Sequence, residues 1–187
     1  MGGETFATRP CRGMLTPKRI WWARPRKLCA LERPGGGGRS HRPVRREAEI
    51  EYLIERGVRL VISTMPTRHN IPAYEDAGLD WHHVPVESCA EGADALEELL
   101  PLLRRELRRG GAVAVHGNRH TDFVAALCTA YLHDRYERDP LDALGDAAAA
   151  GLDVTPDAAS LVGVDYEAVQ PRSRIAASTS SGRSVTT

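Results

Sequence analysis

The stretch that decides the fold runs from Gly111 to Leu132 and reads GAVAVHGNRHTDFVAALCTAYL. Residues 112–115 are apolar and include two valines, which predicts a short buried strand that ends at His116. From residue 123 onward the chain is apolar over more than two turns, which predicts a buried helix. The polar residues in between predict a tight loop. Such a loop aims its backbone N–H groups and the N-terminus of the next helix at one point, and this geometry suits an anion.

The composition is that of one ordinary globular domain. The chain has 187 residues, of which 42% are hydrophobic, and its 25 basic residues balance its 25 acidic ones. A net charge of zero gives no general support for a nucleic acid or an anionic membrane as partner. No apolar run approaches membrane-spanning length, and the four cysteines show no CxxC pair. These features predict a cytoplasmic protein with reduced thiols and no cofactor.

Strand and helix patterns alternate along the chain before the featured stretch. The order predicts an α/β domain with a mostly parallel central sheet flanked by helices. In such sheets ligands bind beyond the carboxyl ends of the strands, where the featured loop lies. The predicted strands are 21–22, 27–31, 58–63, 81–86 and 112–116, and the predicted helices are 44–56, 72–78, 94–109, 123–138, 140–150 and 156–162.

The ends of the chain lack a core pattern. Residues 1–19 are basic and turn-rich, and residues 169–187 are rich in serine and threonine, so both are predicted to be disordered tails around a domain at 20–168. The glycine run 35–38 predicts a flexible loop. It is not a phosphate-binding P-loop, because no Gly-Lys-Ser/Thr follows it.

Several pieces of the chain, taken in order, resemble one known family. These are the helix at 47–57 followed by the strand at 58–64, the strand at 78–86, and the strand at 112–116. From Trp21 to about Val164 the chain resembles the cysteine-dependent protein tyrosine phosphatases, specifically their small dual-specificity phosphatase-like branch. The resemblance implies the three-layer fold of that family.

The signature of this family is a His-Cys pair, a short loop, and an arginine followed by serine or threonine. The resemblance implies a cysteine thiolate that attacks phosphorus and an arginine that grips the phosphate oxygens. His116 matches the family histidine, but Gly117 stands in place of the cysteine, Phe123 in place of the arginine and Val124 in place of the serine or threonine. At the family's spacing, Glu87 takes the place of the general-acid aspartate.

Without a nucleophile and an arginine clamp, the resemblance implies a pseudophosphatase that binds a phosphorylated ligand or a protein partner. Arg119, His120 and the backbone amides would supply the donors. We expect no nucleic acid and no membrane as partners. The predicted ligand-binding residues are His116, Gly117, Asn118, Arg119, His120, Thr121 and Asp122.

The alternative is an active hydrolase with another mechanism. Cys89, if exposed, would be a substitute nucleophile, whereas Cys128 reads as an inert core thiol. A metal-assisted mechanism would draw ligands from a set of histidines and carboxylates, although their spacing matches no established metal hydrolase and adjacent histidines on a strand face opposite ways. That set is His82, His83, Glu87, His116, His120 and Asp122.

Some loop residues also have purely structural interpretations. Gly117 would serve as a turn glycine with positive φ, and Thr121 or Asp122 as the N-cap of the following helix. Phe123 would pack into the core. If the loop keeps the family's geometry, Gly117→Cys together with Phe123→Arg should introduce phosphatase activity.

Overall fold

The computed structural model describes residues 15–37 and 41–169. Most of both predicted tails, residues 1–14 and 170–187, therefore lies outside the described residues, as does the end of the glycine run. Arg19, the last residue of the predicted N-terminal tail, contacts the folded domain through Asp153. The ordered contacts thus begin before the predicted domain boundary at residue 20.

A five-stranded sheet forms the centre of the domain, in the order β1-β2-β5-β3-β4. β1 is antiparallel to β2, and all other neighbours are parallel, which confirms the predicted mostly parallel sheet. β5 lies in the middle and is buried at all five positions, so its apolar sequence follows from contact on both faces. The strands are β1 Ile20–Arg24, β2 Leu28–Leu31, β3 Val58–Ser63, β4 Asp80–His83 and β5 Ala112–His116.

Helices cover both faces of the sheet and complete the three layers. One apolar cluster joins α3, α4, α5 and α6 to one face, and a second joins α1 and α2 to the other. α4 is buried along most of its length because it lies between the sheet and its neighbouring helices. The helices are α1 Pro43–Glu55, α2 Ile71–Asp76, α3 Ala93–Arg108, α4 Asp122–Tyr136, α5 Pro140–Ala149 and α6 Pro156–Leu161, and a 3₁₀ turn covers Cys89–Glu91.

The end of β4 differs from the prediction. β4 ends at His83, three residues earlier than predicted, although the N–H groups of Val84 and Val86 still donate to the carbonyls of Ser63 and Thr64 at the end of β3. α3 was predicted close to its observed bounds and continues through Pro101, which lies on its exposed side. In the described part of the chain, no helix combines the length and apolar character needed to cross a membrane.

Candidate functional site

The loop between β5 and α4 lies at the carboxyl edge of the sheet. Because β5 is the central strand, with β2 and β3 as parallel neighbours, its last residue, His116, is enclosed by the fold. Residues 117–121 then cross the edge and lead into α4. The sheet thus places this loop where parallel α/β folds bind their ligands.

His116 organises the loop from inside and has no exposed surface. Burial lowers the pKa of His116 to about 4, so its imidazole is neutral at physiological pH and carries one ring proton. Its Nδ1 lies 2.8 Å from the carbonyl oxygen of Gly117, which can only accept, so Nδ1–H is the donor. Nε2 is then the acceptor for the hydroxyl of Tyr74 at 2.8 Å. Both ring nitrogens are engaged, so the His116 side chain positions the loop and does not face a ligand.

The hydrogen bond to Tyr74 belongs to a longer series of buried hydrogen bonds that could not be predicted from the sequence. Asn70 donates through Nδ2 to the Tyr74 hydroxyl at 3.4 Å and accepts from Nε of Arg33 at 2.9 Å. Arg33, Asn70 and Tyr74 are all buried. They come from the end of β2 and the start of α2, so no local motif joins them to His116.

Gly117 fits the loop because the backbone approaches it closely. A Cβ added there would lie 2.3 Å from the carbonyl oxygen of His120 and 3.9 Å from Oγ1 of Thr64. Gly117 is not among the described glycines with positive φ, so its interpretation as a positive-φ turn glycine is wrong. The His120 carbonyl occupies the space into which any side chain at position 117 would project.

The glycine run packs directly onto this loop. A Cβ on Gly37 would lie 2.9 Å from Cα of Arg119, and the N–H of Arg33 donates to the carbonyl of Asn118. Gly35 is also held, because its N–H donates to Glu49 Oε2 at 2.7 Å. The described part of the run is therefore a packed and hydrogen-bonded cover rather than the predicted free loop.

Thr121 is fixed by a network around Asp153. The backbone N–H and the hydroxyl of Thr121 both approach Oδ2 of Asp153, at 3.1 and 3.2 Å. Arg19 pairs with the same carboxylate at 2.6 Å and donates to the carbonyl of Arg119. The pKa of Asp153 is lowered: burial alone would raise it, but the bonds from Arg19 and Thr121 outweigh that effect. Thr121 has no exposed surface, so its side chain holds the loop and does not contact a ligand.

The network predicts that removing Asp153 lowers the stability of the fold more than removing Asp134 does. Asp153→Ala should destabilise the fold by about 2 kcal/mol, because Thr121 and Arg19 lose a charged acceptor. Asp134→Ala is the matched control. Asp134 pairs with Arg104 at the same distance of 2.6 Å and with the same side-chain exposure of 37%, but it holds no loop. Asp134→Ala should lower the free energy of unfolding by less than about 1 kcal/mol. Urea unfolding of both variants measures the difference, and equal losses would contradict the role of the network.

The start of α4 is already occupied by a carboxylate of the chain itself. Oδ1 of Asp122 accepts from the N–H of Phe123 at 2.9 Å, and Oδ2 accepts from the hydroxyl of Thr155 at 3.2 Å. Thr121 is the N-cap residue but makes no capping bond through its side chain. Phe123 is buried, and its ring lies 2.5 Å from a Cβ added at Gly92. Both residues therefore have structural contacts that hold the loop and the helix together.

The solvent-facing part of the loop is small and basic. Among the predicted binding residues, Arg119 and His120 have exposed side chains. Within residues 15–37 and 41–169, nothing accepts from the backbone N–H groups of Asn118, Arg119 and His120. Oδ1 of Asn118 is buried and also lacks a partner in that part of the chain. The donors available to an anion are the side chains of Arg119 and His120 and the backbone N–H groups of residues 118–120.

Known structures with the same arrangement of elements settle the fold. Human DUSP28 superposes with a TM-score of 0.59 at 20% identity, over 86% of this chain and 98% of that one. PTPMT1 in complex with PI(5)P gives a TM-score of 0.59 at 14% identity, over 84% and 99% of the two chains. P. aeruginosa TpbA gives 0.59 at 18% identity, over 81% and 87%. The fold is that of the dual-specificity phosphatases. No protein-family model and no curated protein matches the sequence.

Neither Cys89 nor Cys128 is placed in this phosphatase fold to act as a nucleophile. Cys89 is buried, so the exposure that a substitute nucleophile needs is not met. Burial, together with the negative charges of Asp122 and Asp157, raises the pKa of the Cys89 thiol to about 12, so it stays protonated and unreactive. Cys128 is fully buried in α4, which confirms it as a core thiol.

The other predicted chemical groups remain apart. Glu87 is exposed in the loop after β4. His83 donates through Nε2 to the carbonyl of Met65 at 2.8 Å, whereas His82 lies 3.7 Å from Glu98. Across the residues that the structure describes, no group of three or more His, Cys, Asp or Glu side chains is placed to hold a metal ion. The metal-assisted alternative thus has no support from the geometry of this phosphatase fold.

Proposed function

We propose that this chain is a non-catalytic, phosphatase-like domain that binds a phosphorylated ligand or protein at the loop 116–122. The observation that carries the proposal is the 2.3 Å approach of the His120 carbonyl to a Cβ at position 117. The carbonyl therefore lies where the Cβ of a nucleophilic side chain would have to be placed. The buried Phe123 likewise has no group that could grip phosphate oxygens.

Binding would use the exposed edge of the same loop. Arg119 brings a guanidinium group, His120 an imidazole, and residues 118–120 bring backbone N–H groups without acceptors in the described chain. A dianionic phosphoryl group can accept from several such donors at once, and charge-assisted hydrogen bonds are the stronger kind. Because Arg119 and His120 lie at the surface, the ligand would be bound at the surface and not enclosed.

Two measurements on the purified protein test the proposal. Aryl phosphate turnover, with and without added divalent metal ions, should stay at the level of the buffer. Inorganic phosphate or vanadate should raise the melting temperature. Arg119→Ala should weaken this binding about tenfold, because one charge-assisted contact is lost. Arg108→Ala, an exposed arginine at the end of α3, is the control and should bind as the unchanged protein does.

Each result has a definite meaning. Turnover that Arg119→Ala or His120→Ala abolishes would replace the proposal with an active hydrolase of altered mechanism. If neither phosphate nor vanadate changes the melting temperature, the anion-binding role is lost and a plain protein-interaction domain remains.

A further inference from the structure

Three basic side chains meet behind the glycine run, away from the exposed edge of the loop. Arg33 follows β2, His41 precedes α1, and Arg46 lies in the first turns of α1. Gly35 brings them together. A Cβ on Gly35 would lie 2.6 Å from Cε1 of His41 and 2.8 Å from Cβ of Arg46. Only a glycine allows the chain to pass between these two side chains.

Arg33 and Nε of Arg46 are buried, and both guanidinium groups have hydrogen-bond donors to spare. Arg33 is 7% exposed, and its only side-chain bond within residues 15–37 and 41–169 runs from Nε to Asn70. Its terminal nitrogens therefore have no partner there. Nε of Arg46 is fully buried and also lacks a partner in the described chain. Buried guanidinium groups are normally paired, so both positions call for an acceptor.

The carboxylates nearby are already engaged. Oε2 of Glu49 accepts from the N–H of Gly35 at 2.7 Å, and its Oε1 accepts from Nε of Arg45 at 2.7 Å. Oε1 of Glu32 accepts from the N–H of Gly37 at 3.1 Å. Neither Arg33 nor Arg46 forms an ion pair with a carboxylate of the described residues.

Positive charge thus accumulates at this point. Burial lowers the pKa of Arg33. Tyr74 opposes this effect in part, and the positive charge of Arg46 adds to it. The pKa of His41 is lowered by burial and then by Arg33, with Arg46 and His69 adding to the effect. The two guanidinium groups repel one another, and the nearby carboxylate of Glu49 is already engaged by Gly35 and Arg45. A bound anion would remove the repulsion and accept from both guanidinium groups.

We propose that Arg33, Arg46 and His41 form a second oxyanion site, for phosphate or a phosphoryl group, behind the glycine run. Two planar guanidinium groups suit an oxyanion because each can donate to two of its oxygens. The site is distinct from the exposed donors of Arg119 and His120. It is nevertheless linked to the loop, because the backbone N–H of Arg33 donates to the carbonyl of Asn118.

The site can be observed through its own N–H groups. In ¹⁵N NMR spectra, the Nε–H signals of Arg33 and Arg46 should shift saturably as inorganic phosphate is added. Sodium chloride at equal ionic strength should not reproduce the shifts. If both signals stay in place throughout the titration, the proposal is overturned. Because the protein is unmodified, this result does not depend on whether a variant folds.

Variants then separate this site from the exposed loop. Arg46→Gln should weaken phosphate binding at the shifted signals about tenfold, and Arg46→Lys should restore only part of it, since the fork geometry is lost. Arg56→Gln, after the other end of α1, is the control and should change little. The shifts should persist in Arg119→Ala, whose effect reports on the proposed loop function alone. Their disappearance in Arg119→Ala would show that the anion sits in the loop and would overturn the second site.

A parallel titration identifies the source of the oxyanion. Free phosphate should bind more tightly than glycerol phosphate, because Arg33 is 93% buried and Nε of Arg46 is fully covered. Tighter binding of glycerol phosphate would still support the site and would assign it to the phosphoryl group of a larger ligand.

Discussion

Gly117→Cys combined with Phe123→Arg is expected to unfold much of the protein and to yield no phosphatase turnover. The sulfur-bearing Cβ would meet the His120 carbonyl at 2.3 Å, and forcing a group into such a packed place costs roughly 1–3 kcal/mol. Phe123 is buried in the core, and the loss of such a ring costs about 3–5 kcal/mol before the burial of a guanidinium is counted. The sum approaches the whole stability of a typical domain, about 5–15 kcal/mol.

Single variants keep this prediction measurable. Gly117→Cys alone should remain folded, with a lower melting temperature and no aryl phosphate turnover. Gly111→Ala is the control glycine: a Cβ there would lie 3.4 Å from the side chain of Arg59, which has room to move. Its melting temperature should change little. Turnover by a folded double variant would mean that the His120 peptide turns away, and that the loop retains the geometry expected from the family resemblance.

Stability should fall by on the order of 3 kcal/mol between about pH 6.5 and pH 4 because of His116 alone. Burial, partly offset by the bond to Gly117, lowers the pKa of His116 to about 4 in the folded state, whereas an unfolded histidine keeps its usual value near 6.5. Between these two pKa values, His116 is protonated in the unfolded chain but neutral in the folded chain. Acid therefore favours unfolding in this window, and the loss levels off below pH 4.

The variant His116→Gln tests the pH dependence directly. It should be less stable at pH 7, because glutamine cannot reproduce the bonds to both Tyr74 and Gly117. Its urea-unfolding free energy should then change less between pH 6.5 and pH 4 than that of the unchanged protein. Exposed His133, replaced in His133→Gln, is the control and should preserve the full slope. Equal slopes for His116→Gln and the unchanged protein would show that His116 is not the group responsible.

The strands and helices could be predicted from the sequence because apolar runs and capping residues are local signals. β3 was predicted with its observed bounds, since Val58 to Ser63 is rich in β-branched and apolar residues and follows Gly57. α6 was predicted at residues 156–162, where Thr155 before Pro156 is a helix-start signal, and Oγ1 of Thr155 accepts from the N–H of Ala158. β4 was predicted too long because Val84–Val86 has strand-like residues, but its proline falls where regular pairing stops.

The contacts that shape the loop could not be read in the same way. Thr121 contacts Asp153, which lies 32 residues later in the chain, and Arg19, which lies 102 residues earlier. Arg33 reaches His116 through Asn70 and Tyr74, which belong to another layer. None of these pairs has a fixed spacing, because the separation depends on the lengths of the helices between them.

The sequence by itself determined the three-layer α/β fold, the position of the loop after β5, and the presence of a glycine at 117 and a phenylalanine at 123. It did so because hydrophobic period and residue identity are local properties. Only the tertiary structure decided what fills the loop. The His120 carbonyl lies against Gly117, and Asp122 accepts from the N–H of Phe123. These two contacts are local, but the loop shape that allows them is held by Gly37, Arg19 and Asp153, which lie far away in the chain.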